Sequence, residues 1–433
     1  MKSRYSPWAW LPSLYFIEGL PYFIVNVISV TMFKRMGMGN GDIALYTSLL
    51  YLPWVIKPLW SPFVDVIRSK RWWIILMQLI MTGALLLLFT TLPRPEITEI
   101  AQGNIGIRPF IFTLILFYIT AFASATHDIA ADGFYMLALD EHNQSMFVGI
   151  RSTFYRIASV FGQGVLVAIA GTLESWMGDI PKAWAITLMI CSLIMALTSI
   201  YHIIILPKVE RPSVKKSISQ VGKDLLDAFI SFFRKKGLGM ALVFMLLFRL
   251  PEAFAVKMLT PFMLDNTELG GLGLSTTESG LVYGIVGVIA LTLGGILGGL
   301  AASKWGLKKS LWPMSLSLAL PCAVYLYMAI AQPVSLIPVY ICVALDQFGY
   351  GFGFTAYMLY MMWFSQGDYK TSHYALCTAF MALSMMIPGL FAGWMQEALG
   401  YVGFFTVVMI CCIATVVVTL IARKQIDTEY GKK

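Results

Sequence analysis

The feature that most limits how this chain can fold is the recurrence of apolar runs, each about 20 residues or longer, between short polar loops. A backbone inside a bilayer must satisfy its own hydrogen bonds, so such runs are expected to be helices. Twelve candidate spans follow one another. The first six are 8–33, 42–64, 72–92, 109–137, 144–172 and 183–206; the second six are 237–264, 276–302, 310–331, 334–363, 370–397 and 400–422. The expected fold is an all-α membrane protein of two six-helix bundles, residues 1–206 and 237–433. Composition agrees: 58% of residues are hydrophobic and 12% charged, against roughly 25% charged in a typical soluble domain. Lys2 and Arg4 lead straight into a full-length apolar run with no small-residue cleavage site, so no signal peptide is expected.

The net charge of +8 is unevenly placed. Arg68, Lys70, Arg71, Lys304, Lys308, Lys309, Arg423 and Lys424 fall in loops on one side of the spans. The opposite loops carry Asp265 and Glu268, or no charge at all around 331–334, with Lys34-Arg35 as the exception. This is the positive-inside pattern, which puts both termini in the cytoplasm and makes the lipid bilayer, not a nucleic acid, the partner of the basic residues. Between spans six and seven, residues 207–236 form a long basic connection. Within it Ile218, Val221, Leu225, Phe229 and Phe232 recur at helical spacing, as in an amphipathic helix lying on the leaflet. All six cysteines sit inside apolar runs without metal-ligand spacing to histidine, so they read as packing residues. No cofactor motif, metal site or nucleotide-binding loop is present in the pattern.

Charges inside the spans are few and can be weighed singly. Residues 124–134, Ser-Ala-Thr-His-Asp-Ile-Ala-Ala-Asp-Gly-Phe, place Asp128 and Asp132 one turn apart on one face of span four. A charge at membrane depth costs on the order of 2.5–3.5 kcal/mol on insertion scales. Two acids on one face imply a wet interior or a nearby cation. The alternative is a purely structural clamp between helices. Asp128 and Asp132, with Glu18, Glu252 and Asp346, are the candidate proton-coupling groups, and Arg156 or Lys57 the expected counter-charge. Lys57, Arg156, Arg249 and Lys257 could hold an anionic cargo, since guanidinium binds carboxylate bidentately. Arg249 and Glu252 stand three apart and can also neutralise each other. Tyr357, on an aromatic stripe with Tyr350, Tyr360 and Trp363, is the candidate for stacking on a sugar face. Gly294, Gly295, Gly298 and Gly299 make overlapping small-xxx-small pairs for close helix packing. Pro251 and Pro388 are candidate helix breaks.

The halves echo each other. After span two comes Ser61-Pro-Phe-Val-Asp65-Val-Ile-Arg68-Ser-Lys70-Arg71; after span eight comes Gly299-Leu-Ala-Ala-Ser303-Lys304-Trp-Gly306-Leu-Lys308-Lys309. This arrangement resembles the major facilitator superfamily, whose loop signature is Gly-x-x-x-Asp-Arg-x-Gly followed by basic residues. The first loop keeps Asp65 and lacks both glycines; the second keeps Gly299, Lys304 and Gly306 and has Ser303 for the acid. The resemblance implies that Asp65, Arg68 and Lys304 act in gating, through ion pairs made in one state and broken in the other. The bare residues allow simple topology anchoring instead.

A narrower resemblance rests on Glu18-Gly19-Leu-Pro21, Lys57-Pro-Leu-Trp60-Ser-Pro62-Phe-Val-Asp65, His127-Asp128-Ile-Ala-Ala-Asp132-Gly133, Tyr155-Arg156, Glu252-Ala-Phe-Ala255, Gly349-Tyr-Gly351-Phe-Gly353, Tyr374-Ala-Leu376 and Gly393-Trp394 with Glu397. Together these are similar to the AmpG-type muropeptide permeases and their acetyl-CoA-transporter relatives. The resemblance implies proton-driven import of an amino sugar or muropeptide across the inner (cytoplasmic) membrane. The rival readings are efflux of amphipathic compounds and a membrane acyltransferase. The second would need a reactive His or Ser/Asp set, and neither His127-Asp128 nor Glu141-His142 carries a nucleophile motif.

Overall fold

The computed structural model describes residues 6–209, 218–427 and 430. Every regular element among them is helical. Ten helical stretches among these residues are long and apolar enough to cross a membrane: Pro7–Arg35, Lys70–Thr91, Arg108–Ala138, Gly149–Met177, Ile180–Ile205, Leu238–Leu264, Thr276–Trp305, Leu307–Ala331, Leu336–Phe364 and Lys370–Arg423. They correspond to spans one, three to ten, and the last two taken together. The final stretch bends at Gly400, whose φ of 66° is non-helical, and so supplies spans eleven and twelve. Span two is present in pieces: Asn40–Leu49, Leu52–Ile56, a 3-10 turn Lys57–Leu59 and Ser61–Ile67. Pro53, Pro58 and Pro62 lack the N–H that a continuous helix would use, and they divide it. The fold is the twelve-helix arrangement that the apolar runs require.

Helix ends follow local chemistry. Asp140 accepts from the Asn143 N–H at 2.8 Å and Asp179 from Lys182 N–H at 2.9 Å, starting spans five and six. Ser275 and Glu278 form a capping box ahead of span eight. Cations also meet backbone carbonyls at or just past helix ends. Arg71 Nε donates to Leu206 O at 3.0 Å and Lys235 Nζ to Gln366 O at 2.6 Å. Arg423 Nε donates to Lys308 O at 2.8 Å. Arg35, the exception to the loop asymmetry, is paired with Glu174 at 3.0 Å, and Glu174 also accepts from Trp184 Nε1 at 2.7 Å. Pro251 does mark a break, since one helix ends at Leu247 and the next starts at Leu250. Pro388 lies inside a helix that continues through it.

The chain separates into two compact units: residues 1–38 with 56–225, and 39–55 with 226–433. The first unit has its core around Trp10, Leu14, Ile129 and Phe134. The second has cores around Met258, Phe262 and Phe405, and around Phe244, Phe248 and Tyr360. The first part of span two thus packs within the second unit, although it precedes the connecting segment in sequence. Asn40 Nδ2 donates to Gln396 Oε1 at 2.7 Å, and Gly41 N–H to Glu397 Oε1 at 2.7 Å. Gly393 permits the approach: a Cβ there would lie 2.1 Å from Asn40 O.

The amphipathic helix runs over Ile218–Phe233. Val221 and Phe232 are buried and Leu225 and Phe229 half-buried, while the Ile218 side chain lies outside the described residues. Phe232 meets the rings of Phe364, His373 and Phe380. In the glycine-rich faces, Gly294 and Gly351 carry the close packing of spans eight and ten. A Cβ at Gly294 would be 2.1 Å from Phe348 O, and one at Gly351 2.1 Å from Leu291 O; Gly299 faces open space.

Candidate functional site

Five charged side chains from four spans meet in the first unit. Asp128 and Asp132 share one face of span four, as their spacing requires. Glu18 comes from span one. One carboxylate oxygen of each of the three acids lies within 4.8 Å of the others. Lys57, held at the start of the 3-10 turn where prolines interrupt span two, pairs with Asp128. Arg151, in span five, pairs with Asp132 at 2.5 Å. Tyr15, one turn before Glu18, donates to Asp132 at 3.4 Å, and the Arg151 guanidinium lies 4.5 Å from the centroid of its ring. Gly19 lets spans one and five approach, since a Cβ there would lie 3.0 Å from Ala158 Cβ.

The electrostatics of this cluster are unbalanced. Three carboxylates face two cations, and one negative charge is left over among the described groups in contact. Glu18 is the acid without an ion pair among the described residues: its side chain is 7% exposed and its Oε2 has no hydrogen-bond partner. The pairs themselves remain partly open, at 28% and 22% exposure for Lys57 and Asp128 and 31% and 36% for Arg151 and Asp132. Three oxygens so spaced are able to hold a cation. Two of the acids are already matched by Lys57 and Arg151, so a single proton suffices to balance the third.

The guanidinium that reaches Asp132 is that of Arg151, where the sequence suggests Arg156 or Lys57 as the counter-charge; Lys57 pairs with Asp128. Arg156 is half-buried and has partners of its own. Behind span four the structure assembles a second set that no sequence motif announces. Buried His127 and His202 lie 3.0 and 2.9 Å from Gln78 Nε2, and His202 lies 2.8 Å from Ser13 Oγ. These residues come from spans one, three, four and six. Their only signal in the sequence is that polar side chains occur inside apolar runs. The node fixes the rotation of span four, and so the direction in which the neighbouring Asp128 points.

In the second unit Arg249 and Glu252 do neutralise each other, bidentately, at 2.6 and 2.8 Å. Tyr350 Oη accepts from Arg249 at 2.9 Å, and the Phe354 ring centroid lies 4.8 Å from the guanidinium. This pair is sealed, at 7% and 8% exposure. Asp346 accepts from Tyr325 Oη at 2.5 Å and from Gln347 Nε2 at 2.9 Å. Lys257 donates to Thr47 Oγ1 at 3.0 Å. Tyr357 corrects the stacking expectation: its ring is fully buried against Phe248 at 5.3 Å, and its hydroxyl donates to Met245 O at 2.6 Å. A ring packed on both its face and its hydroxyl has nothing left for a sugar. Of the gating candidates, Arg68 is exposed near the Trp72 ring and Lys304 is exposed in the last turn of span eight. The Asp65 side chain lies outside the described residues, as do those of Glu141 and His142.

The model of the Major Facilitator Superfamily matches residues 13–370. The chain belongs to the Major Facilitator Superfamily. Among its relatives, the "Putative transporter AmpG 4" of Rickettsia felis is 24% identical over 425 residues, 95% of each chain. The "Anhydromuropeptide permease" of Escherichia coli K12 is 22% identical over 420 residues, 95% of this chain and 79% of the relative. Among solved structures, a D-xylose-proton symporter superposes with a TM-score of 0.72 at 13% identity, covering 98% of each chain. The nucleoside transporter NupG gives 0.70 at 16% identity, over 96% of this chain and 98% of that one. These facilitator-superfamily neighbours are transporters. The chain is therefore a multi-pass membrane transporter, which sets aside the acyltransferase reading.

Proposed function

We propose that this transporter imports a cell-wall-derived amino sugar or muropeptide in symport with protons, by alternating access across the cytoplasmic membrane, with both termini on the cytoplasmic side. The observation that carries the coupling is the charge imbalance of the Glu18, Asp128 and Asp132 cluster. A partly desolvated site with one uncompensated carboxylate favours uptake of a proton. The proton enters at Glu18, which has one carboxylate oxygen within 4.8 Å of an oxygen of each aspartate, and reaches Asp128 or Asp132 from there. A protonated acid releases Lys57 or Arg151, and release of an ion pair that joins separate helices permits the swing between states. Asp346, whose hydrogen-bond partners are neutral among the described residues, is a second protonation candidate; Glu252, with both oxygens held by Arg249, is assigned to structure. The cargo class is supported by the names of the AmpG and anhydromuropeptide-permease relatives. Loop cations on one side of the spans support the orientation.

By chain order, residues 1–206 and 237–433 are assigned as the two bundles, with 207–236 as their connection, although residues 39–55 pack within the second compact unit. Asp65, Arg68 and Lys304 are assigned to the gating pairs; the exposure of Arg68 and Lys304 supports that role. Lys57 and Arg156 are retained as contacts for an anionic cargo, Lys57 once Asp128 has let it go. The test is uptake of labelled N-acetylmuramic acid and muropeptides into liposomes holding the full chain. Accumulation is expected when the outside is made acidic. Equal accumulation with and without the pH gradient would remove proton coupling from the reading.

A further inference from the structure

Lys257 differs from Lys57, Arg151 and Arg249 in what surrounds it. Its side chain is 6% exposed, yet among the described residues no carboxylate pairs with it. Its neighbours are neutral: Thr47 Oγ1 at 3.0 Å and the Tyr51 ring, with the ammonium 5.5 Å from the centroid. Thr47 spends its own hydroxyl proton on Ile43 O at 2.5 Å, so towards Lys257 it is an acceptor only. An ammonium has three donors, and removing it from water without a counter-charge is expensive.

Beside it stands a second unsatisfied donor. Ser48 Oγ is fully buried and has no hydrogen-bond partner. Gly389 brings the two together: a Cβ built there would lie 2.3 Å from Ser48 Oγ and 3.2 Å from Lys257 Cε. The result is an excess of donors, with two remaining on the ammonium and one on Ser48, where Thr47 supplies the hydrogen-bonding acceptor among the described residues. All of these residues lie in the second unit, whereas Glu18, Asp128 and Asp132 belong to the first.

We propose that Lys257 and Ser48, brought together at Gly389, bind a carboxylate carried by the cargo. Binding gives the two remaining ammonium donors an anionic acceptor, so that the hydrogen bonds also carry the attraction of opposite charges, while Thr47 keeps the third. A carboxylate has enough lone pairs to take the Ser48 proton as well. The cargo as carrier of that carboxylate rests on the import reading; the anion site itself does not.

Two probes separate these claims. N-acetylmuramic acid and N-acetylglucosamine share a ring and differ by the lactyl carboxylate. In liposomes holding the full chain, the wild type is expected to prefer the acid by about tenfold in KM, the order of one charge-assisted hydrogen bond. Lys257→Met is expected to abolish that preference, Lys257→Arg to keep part of it, and Ser48→Ala to reduce it a few-fold. In detergent, N-acetylmuramate is expected to raise the Tm of the wild type and of Lys257→Arg, and to leave that of Lys257→Met unchanged; should Lys257→Met fail to fold, Ser48→Ala and Lys257→Arg report in its place. An undiminished preference in these variants overturns the proposal. So does stabilisation that sodium chloride matches, which would mark a site for any small anion. If the wild type carries neither sugar yet N-acetylmuramate stabilises it through Lys257, the import reading falls and the carboxylate site stands.

Discussion

Two carboxylate–guanidinium pairs, Asp132–Arg151 in the first unit and Glu252–Arg249 in the second, are built from the same chemistry and placed in opposite ways. The second pair joins residues three apart on one stretch of span seven. It is closed over by Tyr350 and Phe354 and cancels its own charge. The first joins span four to span five and stays about one-third exposed. Beside it, among the described residues in contact, stand two further acids and one further cation. A pair three residues apart within one span does not depend on a second span to form. A pair between helices, in a cluster with charge left over, changes when they move and when a proton arrives. Partner location along the chain, more than residue type, divides structural charges from coupling charges.

The largest effect is expected in the second unit. Arg249→Met leaves Glu252 buried and unpaired, which is expected to cost about 3–5 kcal/mol of stability, read as a large fall in Tm. A double change to Arg249→Met and Glu252→Leu should recover most of it. If Arg249→Met instead folds normally and flattens the pH response of uptake, the division between the units is wrong.

In the first unit the expected loss is of function, not of fold. Asp128→Asn should lower gradient-driven uptake by about 100-fold, near 2.7 kcal/mol at 1.36 kcal/mol per decade, while the protein remains folded by circular dichroism. Glu18→Gln imitates the protonated acid. Wild-type uptake should rise as the outer pH falls, because the carboxylate must collect its proton outside; in Glu18→Gln that slope should disappear. Uptake by either variant that still tracks the gradient would unseat the cluster as the coupling site.

Two smaller contrasts refine the division. Arg151→Gln should weaken coupled uptake about tenfold, the order of a charge-assisted hydrogen bond, and Arg156→Gln should do less. Equal effects would return Arg156 to the role that the sequence suggests. Tyr357→Phe removes one hydrogen bond to Met245 O. It is expected to cost about 0.5–1.5 kcal/mol of stability and to leave the KM for cargo unchanged. A raised KM would restore the sugar contact that the buried ring argues against.

The part of the site that lies along single helices is legible in the amino-acid sequence. Asp128 and Asp132 must share a face because four residues make about one turn. Arg249 and Glu252 can reach each other for the same reason. The partners across helices are not legible there. Arg151 and Arg156 are five residues apart, which turns them about 140° from each other on a helix of 3.6 residues per turn. Only one can face span four, and which one depends on how span five is rotated where Gly19 admits it. Gln78, His202 and Ser13 make no pattern in the sequence because each comes from a different span.

Run length and period are properties of neighbouring residues. They suffice for the helices and their number, the acids on one face of span four, the amphipathic connection and the glycines that let spans eight and ten close together. Tertiary packing alone makes Arg151 answer Asp132 and places residues 39–55 in the second unit. It also buries Lys257 beside Ser48 with no acid to meet it among the described residues. Those outcomes depend on the rotation and approach of helices far apart in the chain, which close packing fixes and local pattern leaves open.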